Sequence, residues 1–167
     1  GSPIGLEPET GRCGAILQAW YPGQAGGTAV AEVLFGDYNP AGRLPVTFYR
    51  NVSQLPDFED YNMTGRTYRY MTQEPLFPFG HGLSYTSFSY GAVVLGSDNI
   101  KSGEKLRLSV PVTNTGKCDG EEVVQVYLKK NDDVEGPSKA LRAFKRVHIP
   151  AGKTVDVEFD LGDKELV

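Results

Sequence analysis

The chain has 167 residues, of which 40% are hydrophobic and 23% charged, and its net charge is −4 at pH 7. This composition is that of a globular protein and excludes intrinsic disorder, and the absence of a basic patch argues against a nucleic acid partner. The apolar runs are far too short to span a membrane, and 20 glycines and 11 prolines indicate many turns.

The N-terminal part has the pattern of a strand, a helix and a second strand. A short apolar run at residues 15–20 predicts a buried strand that ends in a turn. Residues 24–35 predict a helix, because their apolar residues recur with a helical period, and Gly36 is placed to end it. Residues 44–48 predict another strand. Because residues 1–48 cannot cover both faces of a parallel sheet, we expect this βαβ piece to need more sheet from elsewhere.

The middle of the chain is an irregular segment rich in Phe and Tyr that runs from Gly65 to Tyr90. It has no helical period, and Pro75 and Pro78 exclude a helix across its centre. Exposed rings favour aggregation, so we expect the segment to be packed and its rings buried. Phe79→Ala is then expected to destabilise the fold by roughly 3–5 kcal/mol, as a core truncation does.

Two groups within residues 49–88 are candidates for catalysis. Asp57, Glu59 and Asp60 form a cluster of carboxylates, the groups that glycoside hydrolysis uses in pairs. Nothing in the sequence sets an acid and a base across a sugar, so solvated loop charges are the favoured interpretation. His81 lies between two glycines without a partner at a catalytic or metal-ligand spacing, and we interpret it as structural.

Two arginines, Arg66 and Arg69, lie among tyrosines in the same segment. Their guanidinium groups can stack on the rings or pair with an acid such as Glu59. The favoured interpretation is that they pin the segment in place. Planar donors and aromatic faces also suit a polyhydroxy ring, so the candidate substrate-binding residues are Tyr61, Arg66 and Tyr68.

The second half of the chain alternates apolar and polar residues with a period of two, which is typical of half-buried strands. Turn sequences separate five such segments, near residues 88–95, 104–113, 122–130, 140–149 and 153–161. The pattern predicts an antiparallel sandwich of the fibronectin III type. Since such a sandwich has about seven strands, we expect this one to be incomplete.

Two acidic pairs in this half invite a catalytic or metal-binding interpretation. Glu121 and Glu122 are neighbours on a predicted strand and point to opposite faces, so they cannot serve one site. Asp132 and Asp133 lack the spacing of a calcium loop. All four are expected to be solvated, and no metal site is predicted.

Neither the two cysteines nor a glycine-rich run indicates a metal or nucleotide site. Cys13 and Cys118 form neither a disulfide framework nor a metal-binding pattern, and we expect both to be reduced. The glycines of residues 23–27 lack the spacing of a nucleotide-binding loop. The sequence therefore predicts no cofactor.

Several stretches of the chain resemble glycoside hydrolase family 3. Residues 77–86, Phe-Pro-Phe-Gly-His-Gly-Leu-Ser-Tyr-Thr, closely resemble the segment that joins the α/β sandwich domain of this family to its fibronectin III-like domain. Residues 55–70 look like the β-xylosidase branch of the family. Residues 15–45 resemble the last βαβ unit of the sandwich domain, and residues 110–152 resemble the C-terminal domain.

The resemblance divides the chain into three regions. Residues 1–48 correspond to the end of the α/β sandwich domain, residues 49–88 to a linker packed on both neighbours, and residues 89–167 to an incomplete fibronectin III-like sandwich. The expected fold class is an α+β composite. A partial α/β sandwich is followed by an extended aromatic linker and by an antiparallel β-sandwich that lacks its last strands.

The resemblance implies an exo-acting retaining β-glycosidase that removes single sugars from the non-reducing ends of β-linked oligosaccharides. A β-xylosidase is favoured; a β-glucosidase or a non-catalytic carbohydrate-binding or interaction module is the alternative. In this family the nucleophile is an Asp on an N-terminal barrel, and the acid/base is usually a Glu on an earlier loop of the sandwich domain. Neither motif occurs in this chain, so we expect no catalytic residue and no activity from the segment alone.

The resemblance also bears on partners and location. A β-linked oligosaccharide is expected to bind through the N-terminal domains that the family has and this segment lacks. Neither a nucleic acid nor a membrane is expected as a partner, and a homo-oligomer is left open. This segment has no signal peptide, and for the full-length enzyme we expect a periplasmic or secreted location.

Overall fold

A computed structural model describes residues 2–166, which form a mixed α/β structure with antiparallel sheets. Their contacts divide them into two compact units. The first unit contains the described residues up to Tyr38, together with Arg43–Gly82 and Lys130–Lys139. The second, which we call the sandwich unit, contains Asn39–Gly42, Leu83–Lys129 and the described residues from Ala140 onward. Within residues 2–166, no helix has both the length and the hydropathy needed to cross a membrane.

The first unit contains three α-helices and one 3-10 turn. These are α1 (Glu7–Thr10), α2 (Gly26–Phe35), the 3-10 turn Val52–Gln54 and α3 (Thr67–Tyr70). Helix α2 confirms the helix predicted from the apolar period, and it ends at Gly36, whose φ of 85° is the left-handed conformation that a residue with a Cβ rarely adopts.

Both strands that were predicted to flank α2 are wrong. Residues 15–20 pair with no strand in the described part of the chain. In residues 44–48, Leu44 exchanges backbone hydrogen bonds with Gly80 and His81, and Phe48 forms an isolated antiparallel bridge with Phe77. An apolar segment forms a strand only when an adjacent strand hydrogen-bonds to its backbone along several residues. Here residues 76–81 hydrogen-bond to residues 44–48 only at Leu44 and Phe48.

The sandwich unit contains six strands and a final helix. They are β1 (Phe88–Tyr90), β2 (Val94–Leu95), β3 (Leu106–Asn114), β4 (Gly120–Leu128), β5 (Ala140–Ile149), β6 (Thr154–Leu161) and α4 (Asp163–Leu166). In one sheet β3 is central, with β1 and β2 along one side and β6 on the other, and the second sheet pairs β4 with β5. All pairs are antiparallel, so the sandwich predicted from the period of two is confirmed.

The strand predicted over residues 88–95 is interrupted. Tyr90 pairs with Val112 and Val94 with Ser109, so three residues face two and the strand bulges. The bulge lies opposite Pro111, which has no amide hydrogen, and the Pro111 carbonyl accepts from the Gly91 amide at 2.8 Å. A Cβ on Gly91 would lie 2.5 Å from Cγ of Pro111, so this close approach requires glycine.

The hydrophobic core of the sandwich unit lies between its two sheets. It consists of Leu108, Val110 and Val112 of β3, Val124 of β4, Ile149 of β5, and Val157, Phe159 and Leu161 of β6. Every second residue of β3 and β6 faces this core, as the alternation predicts. Burial of each large aliphatic side chain stabilises the fold by about 1.5–3 kcal/mol, so this cluster is the main source of stability in the unit.

One acidic residue in the sandwich unit differs from its prediction. Glu122 is only 6% exposed and not solvated, because the alternation of β4 places it on the same face as the core residue Val124. The hydroxyl of Tyr90 donates to Oε1 of Glu122 at 3.1 Å, which satisfies part of the buried carboxylate. Glu121 is on the opposite face and pairs with the guanidinium of Arg146.

Candidate functional site

The candidate site is a loop of the first unit, residues 57–66, which we call the Arg66 loop. The guanidinium of Arg66 hydrogen-bonds to three backbone carbonyls of this loop. Its Nε donates to the Asn62 carbonyl at 3.0 Å, and one terminal nitrogen donates to the Asp57 carbonyl at 3.2 Å and to the Asp60 carbonyl. A planar guanidinium presents several donors in fixed directions, which suits it to holding several carbonyls at once. These contacts support the interpretation that Arg66 pins the segment, and its contact with a sugar stays a prediction.

The carboxylates of the Arg66 loop bond to the backbone of the loop itself. Oδ1 of Asp57 accepts from the Glu59 amide at 3.0 Å, and Oδ1 of Asp60 accepts from the backbone and side-chain amides of Asn62 at 2.9 and 2.7 Å. The bonds from Asn62 hold the pKa of Asp60 below its usual value, and the positive charge of Arg66 adds to this effect. Asp57 and Asp60 therefore stabilise turns, which agrees with their interpretation as non-catalytic loop charges.

The aromatic residues of the site divide into exposed and packed rings. Tyr61 is 92% exposed and Phe58, three residues earlier, is 94% exposed. Tyr68 is half-buried and stacks on Phe79, with 4.2 Å between the ring centroids. Of the three predicted substrate-binding residues, Tyr61 thus presents its ring to solvent, Arg66 turns into its loop, and Tyr68 packs on a neighbouring ring.

A chain of ring contacts also runs through the first unit. Phe48, which is fully buried, meets Trp20 edge-on at 6.1 Å and Phe77 at 6.4 Å between centroids. Phe77 in turn stacks on His81 at 5.2 Å. All of the Phe and Tyr rings between Gly65 and Tyr90 are half-buried or exposed, so the expectation that the segment buries them is met only in part.

His81 has the environment of a structural imidazole. Burial lowers the pKa of His81, and the nearby positive charge of Arg43 lowers it further, so the neutral ring is favoured. Its backbone carbonyl accepts from the Leu44 amide at 2.8 Å. Ring stacking and backbone contacts account for the residue, in agreement with its structural interpretation.

Sequence reasoning missed a shallow cleft of about 240 Å³ beside the Arg66 loop. It is lined by Ser53, Gln54, Leu55, Pro56, Gly65, Met71, Thr72 and Gln73. The Gln54 amide is already used, since it donates to the Glu74 carbonyl at 3.1 Å and accepts from the Arg50 amide at 2.7 Å. The lining residues are uncharged and come from three stretches, residues 53–56, 65 and 71–73, which share no recognisable sequence pattern that would predict a cleft.

Other candidate groups do not assemble into a site. Cys13 and Cys118 are free and exposed. Among residues 2–166, no three His, Cys, Asp or Glu side chains lie together in an arrangement that could hold a metal ion.

Two family profiles match parts of the chain. The profile of the glycosyl hydrolase family 3 C-terminal domain matches residues 1–85, and that of a fibronectin type III-like domain matches residues 122–167. A xylan 1,4-β-xylosidase from Xylanibacter ruminicola is 54% identical over 99% of the chain, and a periplasmic β-glucosidase from Salmonella typhimurium is 40% identical over 96%.

Solved structures give the same picture. A β-glucosidase from Erythrobacter marinus superposes with a TM-score of 0.85 at 45% identity over 99% of the chain. The β-glucosidase 3B of Thermotoga neapolitana does so with a TM-score of 0.83 at 32% identity over 99% of the chain. The chain spans only 19% and 23% of the two curated relatives, and 22% and 25% of these two structures.

Proposed function

Because the chain belongs to glycosyl hydrolase family 3, we propose that it is the C-terminal, non-catalytic part of an exo-acting retaining β-glycosidase. The specific activity proposed is that of a β-xylosidase, which releases single sugars from the non-reducing ends of β-linked oligosaccharides. The observation that carries this choice is sequence identity: the chain shares more residues with the Xylanibacter xylosidase than with the β-glucosidases described above.

In the proposed enzyme, this chain and the other domains have different roles in hydrolysis. Retaining hydrolysis needs a nucleophilic carboxylate and a carboxylic acid about 5–5.5 Å apart on either side of the glycosidic bond. In the Arg66 loop, Asp57 and Asp60 already accept hydrogen bonds from their own backbone. The chain therefore contributes binding surface and support, and the reacting carboxylates come from the other domains.

The Arg66 loop is the part of this chain proposed to contact the sugar. It is held rigid by Arg66, and it exposes the phenol ring of Tyr61, which combines an apolar face with a polar tip. A sugar ring likewise has an apolar face and a hydroxyl rim. The proposed role of Tyr61 is to cover that face of the substrate.

The assignment is tested by assaying the full-length protein with aryl β-xyloside and aryl β-glucoside. We expect kcat/KM to be at least tenfold higher for the xyloside. A preference for the glucoside would replace the proposed activity by that of a β-glucosidase. Failure to hydrolyse either compound would overturn the glycosidase assignment itself.

A second candidate function is a carbohydrate-binding module, and the exposure of both Phe58 and Tyr61 favours it. Calorimetry of this chain with xylo- and cello-oligosaccharides tests it directly. Micromolar binding that is lost in Tyr61→Ala supports a binding module. The matched control is Tyr21→Ala, which removes a tyrosine that is also well exposed but lies outside the Arg66 loop. No binding, or equal loss in the control, rejects this candidate.

A further inference from the structure

The helical turn that follows the Arg66 loop, α3 (Thr67–Tyr70), begins with a strained residue. Thr67 has a φ of 56°, which is unfavourable for a β-branched side chain and persists only where neighbouring groups enforce it. Its amide donates to the hydroxyl of Tyr49 at 2.9 Å. The beginning of α3 is thus held by a side chain from outside the helix.

At the C-terminal end of α3 the last carbonyls need hydrogen-bond donors from outside, because a helix supplies none for them. The Arg66 and Thr67 carbonyls accept from the amides of Tyr70 and Met71, at 3.3 and 3.0 Å. The next two carbonyls, those of Tyr68 and Arg69, lie beyond the reach of these bonds.

Ser138, in the connection between β4 and β5, supplies the missing donors. Its amide donates to the Arg69 carbonyl at 2.7 Å, and its hydroxyl donates to the Tyr68 carbonyl at 3.5 Å, the long limit of a hydrogen bond. Residues Lys130–Lys139 of this connection belong to the first unit, together with the Arg66 loop. A residue seventy positions later in the chain therefore caps α3.

The side chains that α3 carries are those of the candidate site and its support. The Tyr68 ring stacks on Phe79, and the Arg69 guanidinium lies 5.7 Å from the centroid of the Tyr70 ring. Arg66 immediately precedes the helix, so a shift of α3 also moves the guanidinium that closes the loop. Both ends of α3 must be held for the Arg66 loop to keep its geometry.

We propose that Ser138 is a positioning residue for the Arg66 loop, and that the β4–β5 connection thereby sets the affinity of the enzyme for the terminal sugar of a β-linked oligosaccharide. This inference rests on the proposed function. Ser138 acts through the α3 backbone and touches no reacting atom, so its loss weakens substrate binding and leaves the chemical step unchanged. The kinetic signature is a raised KM with an unaltered kcat.

The test compares three variants of the full-length protein with aryl β-xyloside and aryl β-glucoside as substrates. Ser138→Pro removes both the amide donor and the hydroxyl, whereas Ser138→Ala keeps the amide. Val134→Ala changes an exposed residue of the same connection and is the control. For Ser138→Pro we expect KM to rise at least threefold with kcat within twofold of wild type. Ser138→Ala is expected to raise KM less, because it loses only the long hydroxyl bond, and Val134→Ala is expected to stay within twofold in both constants.

Hydrogen exchange supplies a readout that does not depend on activity. In Ser138→Pro the amides of Tyr70 and Met71 are expected to exchange at least tenfold faster than in Val134→Ala. If Ser138→Pro does not fold, Tyr49→Phe releases the other end of α3 and is expected to raise KM in the same way. An unchanged KM in the variant that folds, or unchanged exchange at α3, overturns the positioning role.

The failure of the two proposals can be distinguished. A wild-type protein that hydrolyses neither substrate removes the proposed function, and the proposed effect on substrate affinity falls with it. An active wild-type protein with an unaltered KM in Ser138→Pro removes the role of Ser138 alone.

Discussion

The sandwich unit and the first unit are stabilised in different ways. In the sandwich unit, β3 and β6 bury mostly apolar side chains at alternating positions, and the two strands pair with each other in continuous register over eight residues. In the first unit, Phe48 is the only large side chain among the described residues that is fully buried, and single hydrogen bonds and ring contacts hold long irregular segments.

This difference suggests where function can reside. A periodic core gives stability that is spread over many equivalent contacts, and no single side chain has to point in a particular direction. The Arg66 loop depends on individual donors, such as Arg66 and Ser138, whose directions are specific. Irregular backbone of this kind is typical of loops that carry binding residues on a more stable scaffold.

The largest expected effect is in the core of the sandwich unit. Leu161 is completely buried, and Leu161→Ala is expected to lower the free energy of unfolding by about 3 kcal/mol, since it removes apolar contacts and leaves a cavity. Urea denaturation measures the change. Leu83→Ala in the same unit is the control, because Leu83 is 77% exposed, and its effect is expected to stay below about 0.5 kcal/mol. Equal effects in the two variants would contradict the position assigned to the core.

A smaller effect is expected from the ring contacts of the first unit. Phe79 is half-buried and stacks on Tyr68, so the cost of Phe79→Ala is reduced from the core value expected from sequence to about 2 kcal/mol. The control is Phe58→Ala, which removes an exposed ring from the same unit. A loss of 4 kcal/mol or more on the same denaturation scale, roughly that of full core burial, would remove the contrast between the two units.

The smallest expected effect is a pH dependence that originates in the first unit. Because the pKa of His81 is lowered in the folded chain, by burial first and by Arg43 second, the unfolded chain binds the proton at a higher pH. Stability therefore decreases as the pH falls through about 6.5, and the decrease ends below the folded-state pKa.

Two variants test the origin of this slope. His81→Gln is expected to flatten the dependence of the urea midpoint on pH between about pH 7.5 and 5, and Arg43→Gln to reduce it in part. A wild-type slope in both variants would show that other groups are responsible. A steeper slope in Arg43→Gln would show that Arg43 does not lower the pKa of His81.

Periodic parts of the structure could be predicted from sequence. Helix α2 and strands β3 to β6 follow from the repeat of apolar residues. In β3 and β6 this repeat places one face of the strand against the core, whereas Leu34 and Phe35 of α2 are exposed. The interruption between β1 and β2 follows from Gly91 and Pro111 only once their pairing is known. Residues 15–20 have the composition of a strand, yet the described chain offers no partner strand, and composition alone does not provide one.

The candidate site was predicted only as a set of residues. The mixture of arginine and aromatic residues indicates Tyr61, Arg66 and Tyr68 as candidates. The family is indicated by the amino-acid sequences of several segments. Their different orientations could not be predicted, because the direction of a side chain in irregular backbone depends on its hydrogen-bond partners. The cleft beside Gly65 and the role of Ser138 depend on residues that are distant in sequence.

Two asparagines, Asn39 and Asn114, also have contacts that could not be predicted from the sequence. Asn39, in a turn after α2, accepts from the Ser84 hydroxyl and the Tyr85 amide, both at 2.8 Å, and donates to the Asp119 carbonyl at 2.9 Å. Asn114 is fully buried, and its amide donates to the Ile149 carbonyl at 2.9 Å. In the sequence both asparagines are typical turn residues, and only the folded sandwich unit shows that Asn114 is buried and that each connects segments distant in the chain.

By itself the sequence determined the family, helix α2 and the period of two in the strands of the second half. These features depend on the repetition of side-chain type along the chain, which is a local property. The tertiary structure alone decided the burial of Glu122, the closure of the loop by Arg66 and the capping of α3 by Ser138. Each of these depends on a directional bond between particular groups, and the geometry of such a bond exists only after the backbone has folded.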